Sequence, residues 1–235
     1  MMTMTNLTPG RLSRMAKELY PNGPRLFRAL QCYRPYICPF EELIREVPSG
    51  STILDIGCGG GLFLGLTDAV GLEPRGIGFD VSAPAIQLAQ NMAASRRRRG
   101  GHLEFEKLDS DAQWPAGHFD VVAMIDVMHH VPPSAQQDVI RRACRKVKPG
   151  GVFLYKDMVE QPRWRAFANR MHDLVLARQW IHYAAVADVE AWAADEGMEL
   201  ERCGAFNRLW YGHELRVFRR PNHRRRGALG SRNAS

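Results

Sequence analysis

The densest cluster of chemistry-bearing residues is Asp55-Ile56-Gly57-Cys58-Gly59-Gly60-Gly61. A carboxylate at the end of an apolar run costs free energy unless loop amides or a ligand cation partner it. Four glycines among the five residues from Gly57 to Gly61 let the backbone take positive φ and approach a ligand closely, so the stretch predicts a tight turn with a nucleotide-shaped hollow above it. A second acid follows about 20 residues on, the spacing that nucleotide sites use. This is Asp80, which closes Arg75-Gly76-Ile77-Gly78-Phe79-Asp80 and is placed to accept hydrogen bonds from ribose hydroxyls. Two further groups end apolar runs: Asp126-Val127-Met128-His129-His130 and Lys156-Asp157. Histidine is the side chain best poised to take a proton at neutral pH, so His129 or His130 is a candidate general base, with packing beside a nucleoside as the alternative. Lys156 and Asp157 would orient a substrate or shift a neighbour's pKa if buried, and would matter little as a surface ion pair.

Strands ending at those residues must position them. Thr52 to Ile56 and Phe119 to Ile125 are nearly continuous apolar runs, as buried central parallel strands require. Arg75 to Asp80, His102 to Leu108 and Val152 to Tyr155 supply three more strands, and Glu199 to Phe206 and Glu214 to Arg219 two terminal ones. Helices are expected from Arg11 to Leu19, Arg25 to Gln31 and Phe40 to Glu46, from near Leu62, from Ser82 as N-cap to about Ser95 with Pro84 in its first turn, from Ser134 to Val147, and from Val186 to Glu196. Lys148-Pro149-Gly150-Gly151 reads as a helix stop. Between residues 159 and 183, Trp164, Phe167, Met171, Leu174 and Val175 recur at three- and four-residue steps, which is one face of a helix.

The run Asp55-Ile56-Gly57-Cys58-Gly59-Gly60-Gly61 and the later acid Asp80 resemble the first motif and post-motif acid of class I S-adenosylmethionine-dependent methyltransferases. The resemblance is specific from Ser51 to Lys156 and only architectural afterwards. It implies an α/β, Rossmann-like, doubly wound and mostly parallel seven-stranded sheet with an antiparallel last strand and helices on both faces. It further implies that Asp55 and the turn Gly57, Cys58, Gly59 and Gly61 hold the amino-acid end of S-adenosylmethionine, and that Asp80, with Val81 beside it, grips the ribose. An acid after the third strand would face the adenine amino group: Asp111-Ala112 is the first choice and Asp109 the alternative, turn-forming aspartates being the plain reading. Ile125 and Asp126 then line the pocket where acceptor meets cofactor, and many small-molecule members carry a similar His-His there. G-x-G-x-G differs from the dinucleotide G-x-G-x-x-G, whose fingerprint also lacks an acid two positions ahead. Members that methylate base amines carry an Asn/Asp-Pro-Pro-aromatic clamp, which Asp126-Val127-Met128-His129 does not match.

Residues 1–48 then form a leading helical segment across the pocket mouth, residues 49–220 the methyltransferase domain with a helical lid insertion at 159–183, and residues 221–235 a disordered basic tail. Tyr33, Arg34 and Tyr36 could touch the cofactor carboxylate or roof the substrate, with aromatics that pack the leading helix onto the core as the alternative. On the lid candidate, His172 and His182 are reserve substrate contacts.

With 235 residues, 45% hydrophobic and 24% charged, the chain describes an ordinary soluble globule. It shows neither a signal peptide nor an apolar span long enough for a membrane, which sets the expectation of a cytoplasmic protein. Five scattered cysteines, odd in number and never spaced as C-x-x-C, indicate free thiols and no metal site. Six arginines beyond residue 218 account for most of the net charge of +7, so the basic balance is mostly a tail and no nucleic-acid partner is expected; solvated surface is the plain reading of the arginine runs, and contact with anionic lipid or RNA the other. The expected activity is methyl transfer to a small apolar or aromatic metabolite of secondary or lipid metabolism, O- or C-methylation favoured, leaving S-adenosylhomocysteine. An RNA or protein methyltransferase and a noncatalytic binding module are the alternatives, and oligomeric state is not legible.

Overall fold

The computed structural model describes residues 7–97, 101–109, 112–158, 184–208 and 211–222. Its strands are β1 (Thr52–Ile56), β2 (Arg75–Asp80), β3 (His102–Lys107), β4 (Phe119–Ile125), β5 (Val147–Met158), β6 (Glu199–Arg208) and β7 (Tyr211–Arg219). Its helices are α1 (Pro9–Leu19), α2 (Arg25–Ile37), α3 (Phe40–Arg45), α4 (Leu62–Ala69), α5 (Ala83–Arg97), α6 (Pro133–Arg145) and α7 (Val186–Asp195).

One seven-stranded sheet runs in the order β3-β2-β1-β4-β5-β7-β6. The first five of these strands pair in parallel, while β7 lies antiparallel to both neighbours. Successive residues in a strand face opposite sides, and in β1, β4 and β5 both sides are apolar. Ile53, Val121 and Leu154 pack with Leu12, Leu43, Leu64 and Ala89, under the layer made by α1, α3, α4 and α5. Leu54, Val122 and Phe153 pack with Ile140, Ala143 and Val189 under α6 and α7. A sheet covered on both faces has this continuous apolar signature. Each fully buried aliphatic side chain contributes about 1.5–3 kcal/mol of transfer free energy. From β1 the chain winds outwards through β2 and β3, then crosses back to β4 on the other side of β1. That reversal opens a crevice at the carboxyl ends of β1 and β4, where open α/β sheets bind ligands.

Two expectations are corrected here, and one open alternative is decided. Helix α2 does not stop at Gln31 but runs through Pro35 to Ile37. Pro35 removes a single helical donor two residues before the end, and the Cys38 amide restores the ladder to the Arg34 carbonyl at 2.8 Å. Lys148-Pro149-Gly150-Gly151 lies inside β5 rather than before it. The pairing of β5 with β4 shifts register there, and the Gly150 amide and Gly151 carbonyl are taken up by Arg220 at 2.8 and 2.9 Å. Of the two readings of Lys156 and Asp157, the buried one holds: both are buried, and each pairs elsewhere.

The lid stripe at 159–183 with His172 and His182, together with Asp111, Arg98, Arg99 and residues 223–235 of the basic tail, lies outside the described residues. Arg96, in the last turn of α5, is committed to an ion pair with Asp68 of α4. All five cysteines are unpaired. Among the described residues no helix is long and apolar enough to cross a membrane.

Candidate active site

Gly57, directly after β1, carries φ +67°, and a Cβ there would stand 2.4 Å from Val127 Cγ2. Only glycine lets the loop after β1 pass this close to the loop after β4. Gly59, at φ +53°, faces open space instead: the nearest group to its missing side chain is Arg34 Nη1, 3.9 Å away. Gly61 is the left-handed N-cap of α4. The loop between them is anchored from below and above. The Cys58 amide bonds the Phe79 carbonyl at 3.0 Å, and the buried Tyr20 hydroxyl donates to the Gly60 carbonyl at 2.7 Å.

Asp80 sits at the end of β2. One carboxylate oxygen accepts from the Gly59 amide at 2.9 Å and the other from the Ser82 amide at 2.8 Å. A carboxylate has about four acceptor positions, so the group is fixed in orientation and keeps capacity for hydroxyl donors. Val81 beside it is 59% exposed, an apolar surface next to that acceptor. Asp55 is buried under the loop. Burial pushes its carboxyl up to about 8, with the Asp80 charge adding to the rise and Arg34 opposing it. A cation arriving above the loop would hold it ionised.

At the ends of β4 and β5 lies a partly buried charge cluster. Asp126 takes φ +58°, a left-handed conformation that aspartate tolerates better than most side chains. Its amide bonds the Lys156 carbonyl at 2.8 Å. Its carboxylate pairs with Lys156 Nζ through Oδ1 and with Arg34 Nη2 through Oδ2 at 3.1 Å. Burial alone would raise this carboxyl, but the two cations outweigh it and hold it well below the usual range. Lys156 has no exposed surface. One turn on, in the short 3₁₀ helix Met128–His130, His129 Nδ1 lies 2.5 Å from Asp157 Oδ1. The other Asp157 oxygen accepts the backbone amide of His129 at 3.1 Å. The His130 ring lies 4.1 Å from that of His129 and is exposed.

Ile125 is buried at the end of β4. Tyr33 and Tyr36 are about 40% exposed on the face of α2 turned away from Gln31 and Arg34, and Tyr36 Oη is 3.7 Å from where a Cβ on Gly10 would stand. Asp109 is exposed and paired with Lys107 at 3.0 Å. Ala112 donates its amide to the Asp109 carbonyl at 3.0 Å and accepts from Arg142 Nη2 at 2.9 Å. Two residues went unnoticed in the sequence. Gln31 is buried against the glycine loop, and His213 on β7 is buried near Lys156 and Asp126, its imidazole lowered to about 3 by burial and by the Lys156 charge. Neither stands in a motif; helical spacing from Arg34 points to Gln31, and nothing local points to His213.

A cation above an open glycine loop, an oriented carboxylate, an adjoining apolar surface and a buried carboxyl that awaits a positive charge form a cradle that fits a nucleoside carrying a cationic amino-acid end. Comparison with known proteins agrees. Residues 30–202 match the family model described as a methyltransferase domain. A ubiquinone biosynthesis O-methyltransferase of Pseudomonas paraeruginosa is 28% identical over 162 residues, covering 65% of this chain, and the chain spans just under two thirds (66%) of that relative's length. One of the same name from Nitrosococcus oceani is 28% identical over 170 residues, covering 68% of this chain and 69% of its own. Among solved structures, magnesium protoporphyrin IX methyltransferase of Synechocystis with bound S-adenosylhomocysteine shares the fold, with TM-score 0.64, 16% identity, and 88% and 93% of the two chains covered. The chain thus belongs to the methyltransferase-domain family of class I S-adenosylmethionine-dependent methyltransferases.

Proposed function

We propose that this chain transfers a methyl group from S-adenosylmethionine to a hydroxyl of a small aromatic or lipid-like metabolite, in the cytoplasm. The observation that carries this reading is the buried Asp157–His129 pair at the carboxyl ends of β4 and β5. A carboxylate on Nδ1 keeps the proton there and makes Nε2 the basic nitrogen. Asp157 grips both the ring and the backbone amide of His129, so the imidazole is oriented before a substrate arrives. A hydroxyl must lose its proton as it attacks carbon, and a positioned base of this kind typically contributes about 10²–10⁴-fold. His130, its ring in tilted contact with that of His129 and exposed, is the route by which the proton reaches water. The relatives' shared name, ubiquinone biosynthesis O-methyltransferase, supports oxygen as the acceptor atom and a lipid-like product.

The cofactor, when bound, supplies an activated sulfonium methyl. The chain's own work is to bind, orient and exclude water. In this reading Asp80 and Val81 hold the ribose side, Asp55, Gly57, Cys58, Gly59 and Gly61 the amino-acid side, and Arg34 its carboxylate. Ile125 and Asp126 border the reacting centre, and Lys156 acts through Asp126, as a positioning residue. Ala112 with Asp109 or Asp111 remains the adenine-side assignment. The division into residues 1–48, 49–220 and 221–235 is part of the same proposal. Partners other than the small molecule are not needed by it.

The test incubates the purified chain with S-adenosylmethionine and a panel of phenols, catechols, amines and carboxylates, with product identified by mass. Methylation of hydroxyls is expected, and Asp157→Asn should lower kcat about 10²-fold with cofactor affinity unchanged. Transfer confined to amines, or an Asp157→Asn variant as fast as the parent, would sink this assignment.

A further inference from the structure

The inward face of α2 carries a second polar group one turn before Arg34. Gln31 is 8% exposed, and its side-chain nitrogen sits 2.9 Å from where a Cβ on Gly60 would stand. Its amide oxygen is buried and has no hydrogen-bond donor among the described residues. An orphaned buried acceptor is costly, and native proteins seldom keep one without a use. Local packing gives no use: Leu88 Cδ2 is 3.2 Å from the same point, so an apolar side chain would suit that wall. The neighbouring loop oxygen, on Gly60, already accepts from Tyr20.

We propose that Gln31 is a cofactor-recognition residue whose amide oxygen accepts a hydrogen bond from the α-ammonium of S-adenosylmethionine. Gln31 and Arg34, spaced i and i+3 on one face of α2, then read the two ends of the amino-acid zwitterion: an acceptor for the ammonium and a cation for the carboxylate. The glycine loop lies beneath both, with Arg34 Nη1 3.9 Å from the Gly59 position. This rests on the assignment of the glycine loop and Arg34 to the amino-acid end of the cofactor. It also explains why α2 turns polar residues inward and leaves Leu26, Tyr33 and Tyr36 exposed.

The experiment uses titration calorimetry on the full chain with two ligands. S-adenosylhomocysteine carries the amino-acid end, and 5′-methylthioadenosine lacks it. Gln31→Met keeps the shape and removes the acceptor. It should weaken S-adenosylhomocysteine at least about tenfold, the scale of a hydrogen bond to a charged group, and leave methylthioadenosine within about twofold. Thermal unfolding of the ligand-free variant should be unchanged or raised, because an unsatisfied buried oxygen has gone. Asp80→Ala should weaken both ligands together. Unchanged S-adenosylhomocysteine affinity in Gln31→Met, or an equal loss for both ligands, overturns the role of Gln31 while the cofactor site stands. A parent chain that binds neither ligand overturns the cofactor site itself.

Discussion

Asp126 is the residue on which the two halves of the site are hinged, and Asp126→Asn tests that directly. Its carboxylate lies between Lys156, whose side chain has no exposure, and Arg34, at 29% side-chain exposure. Asparagine keeps the size and tolerates the left-handed φ of +58°, so the substitution removes charge without adding backbone strain. What remains is an ammonium inside the protein facing a neutral amide. Breaking a buried ion pair from one side costs roughly 3–5 kcal/mol, because the surviving charge is left uncompensated. For a domain of this size about 2–4 °C of Tm accompanies each kcal/mol, so the midpoint should fall by some 6–20 °C. Lys156→Met should cost less, since Arg34 still pairs with Asp126 and the methionine fills the space. The double variant should be more stable than the sum of the singles predicts, because the fully buried Lys156 ammonium is gone and only Arg34, part-exposed at 29%, loses its carboxylate. Acid titration gives an independent reading. Asp126 has a depressed native pKa, so between that value and the unfolded carboxylate value of about 4 the unfolded chain binds more protons. Its stabilising contribution is therefore complete above about pH 4 and is lost as pH falls further, and Asp126→Asn should remove this limb. Urea unfolding of the four proteins supplies all these quantities. A loss below about 1 kcal/mol, or strict additivity in the cycle, would refute the reasoning.

Two further predictions concern the glycine loop. Asp55 has a raised native pKa of about 8, and Tyr20, Arg34, Cys58 and Asp80 face it. The folded state then binds more protons than the unfolded one between roughly pH 4 and 8, so this group makes stability fall as pH rises through that window. A cationic ligand favours the ionised form, so S-adenosylmethionine affinity should rise with pH towards 8, and Asp55→Asn should flatten that dependence; an unaltered profile in the variant excludes Asp55 as its source. Gly57→Ala would combine a left-handed alanine, at about 1–2 kcal/mol, with a methyl group 2.4 Å from Val127. We expect a loss of about 2–5 kcal/mol, of which adding Val127→Ala recovers the clash but not the backbone part; no recovery in urea unfolding would show that the Val127 contact is not the cause.

Pattern alone was enough for much of this molecule. Apolar runs at Thr52 to Ile56 and Phe119 to Ile125 are central strands because both their faces are buried, and burial on both faces is written in consecutive residues. The glycines at 57, 59 and 61 and the acid at 80 are local necessities of a strand that must turn and meet a nucleoside, so type and spacing reveal them. Pro35 misled because its penalty near a helix end is smaller than the gain from continuing α2 onto the core. Lys148-Pro149-Gly150-Gly151 misled because the partner that absorbs its irregular backbone, Arg220, is remote in sequence.

Which side chains meet was another matter. Arg34 and Asp126 are 92 residues apart, and His129 and Asp157 are 28 apart; in the sequence Lys156 stands next to Asp157, and nothing there says that the strand sends them to opposite partners. Neighbouring strand residues face opposite sides of the sheet, so Lys156 turns to Asp126 and Asp157 to His129. Residue type and spacing thus determined the central strands and the glycine loop, because those follow from local backbone and burial constraints, while the order of the sheet and the cofactor class were what the resemblance of those residues to a known family implied. Only tertiary structure decided the charge pairs and the inward placement of Gln31, because those depend on where distant segments come to rest against one another.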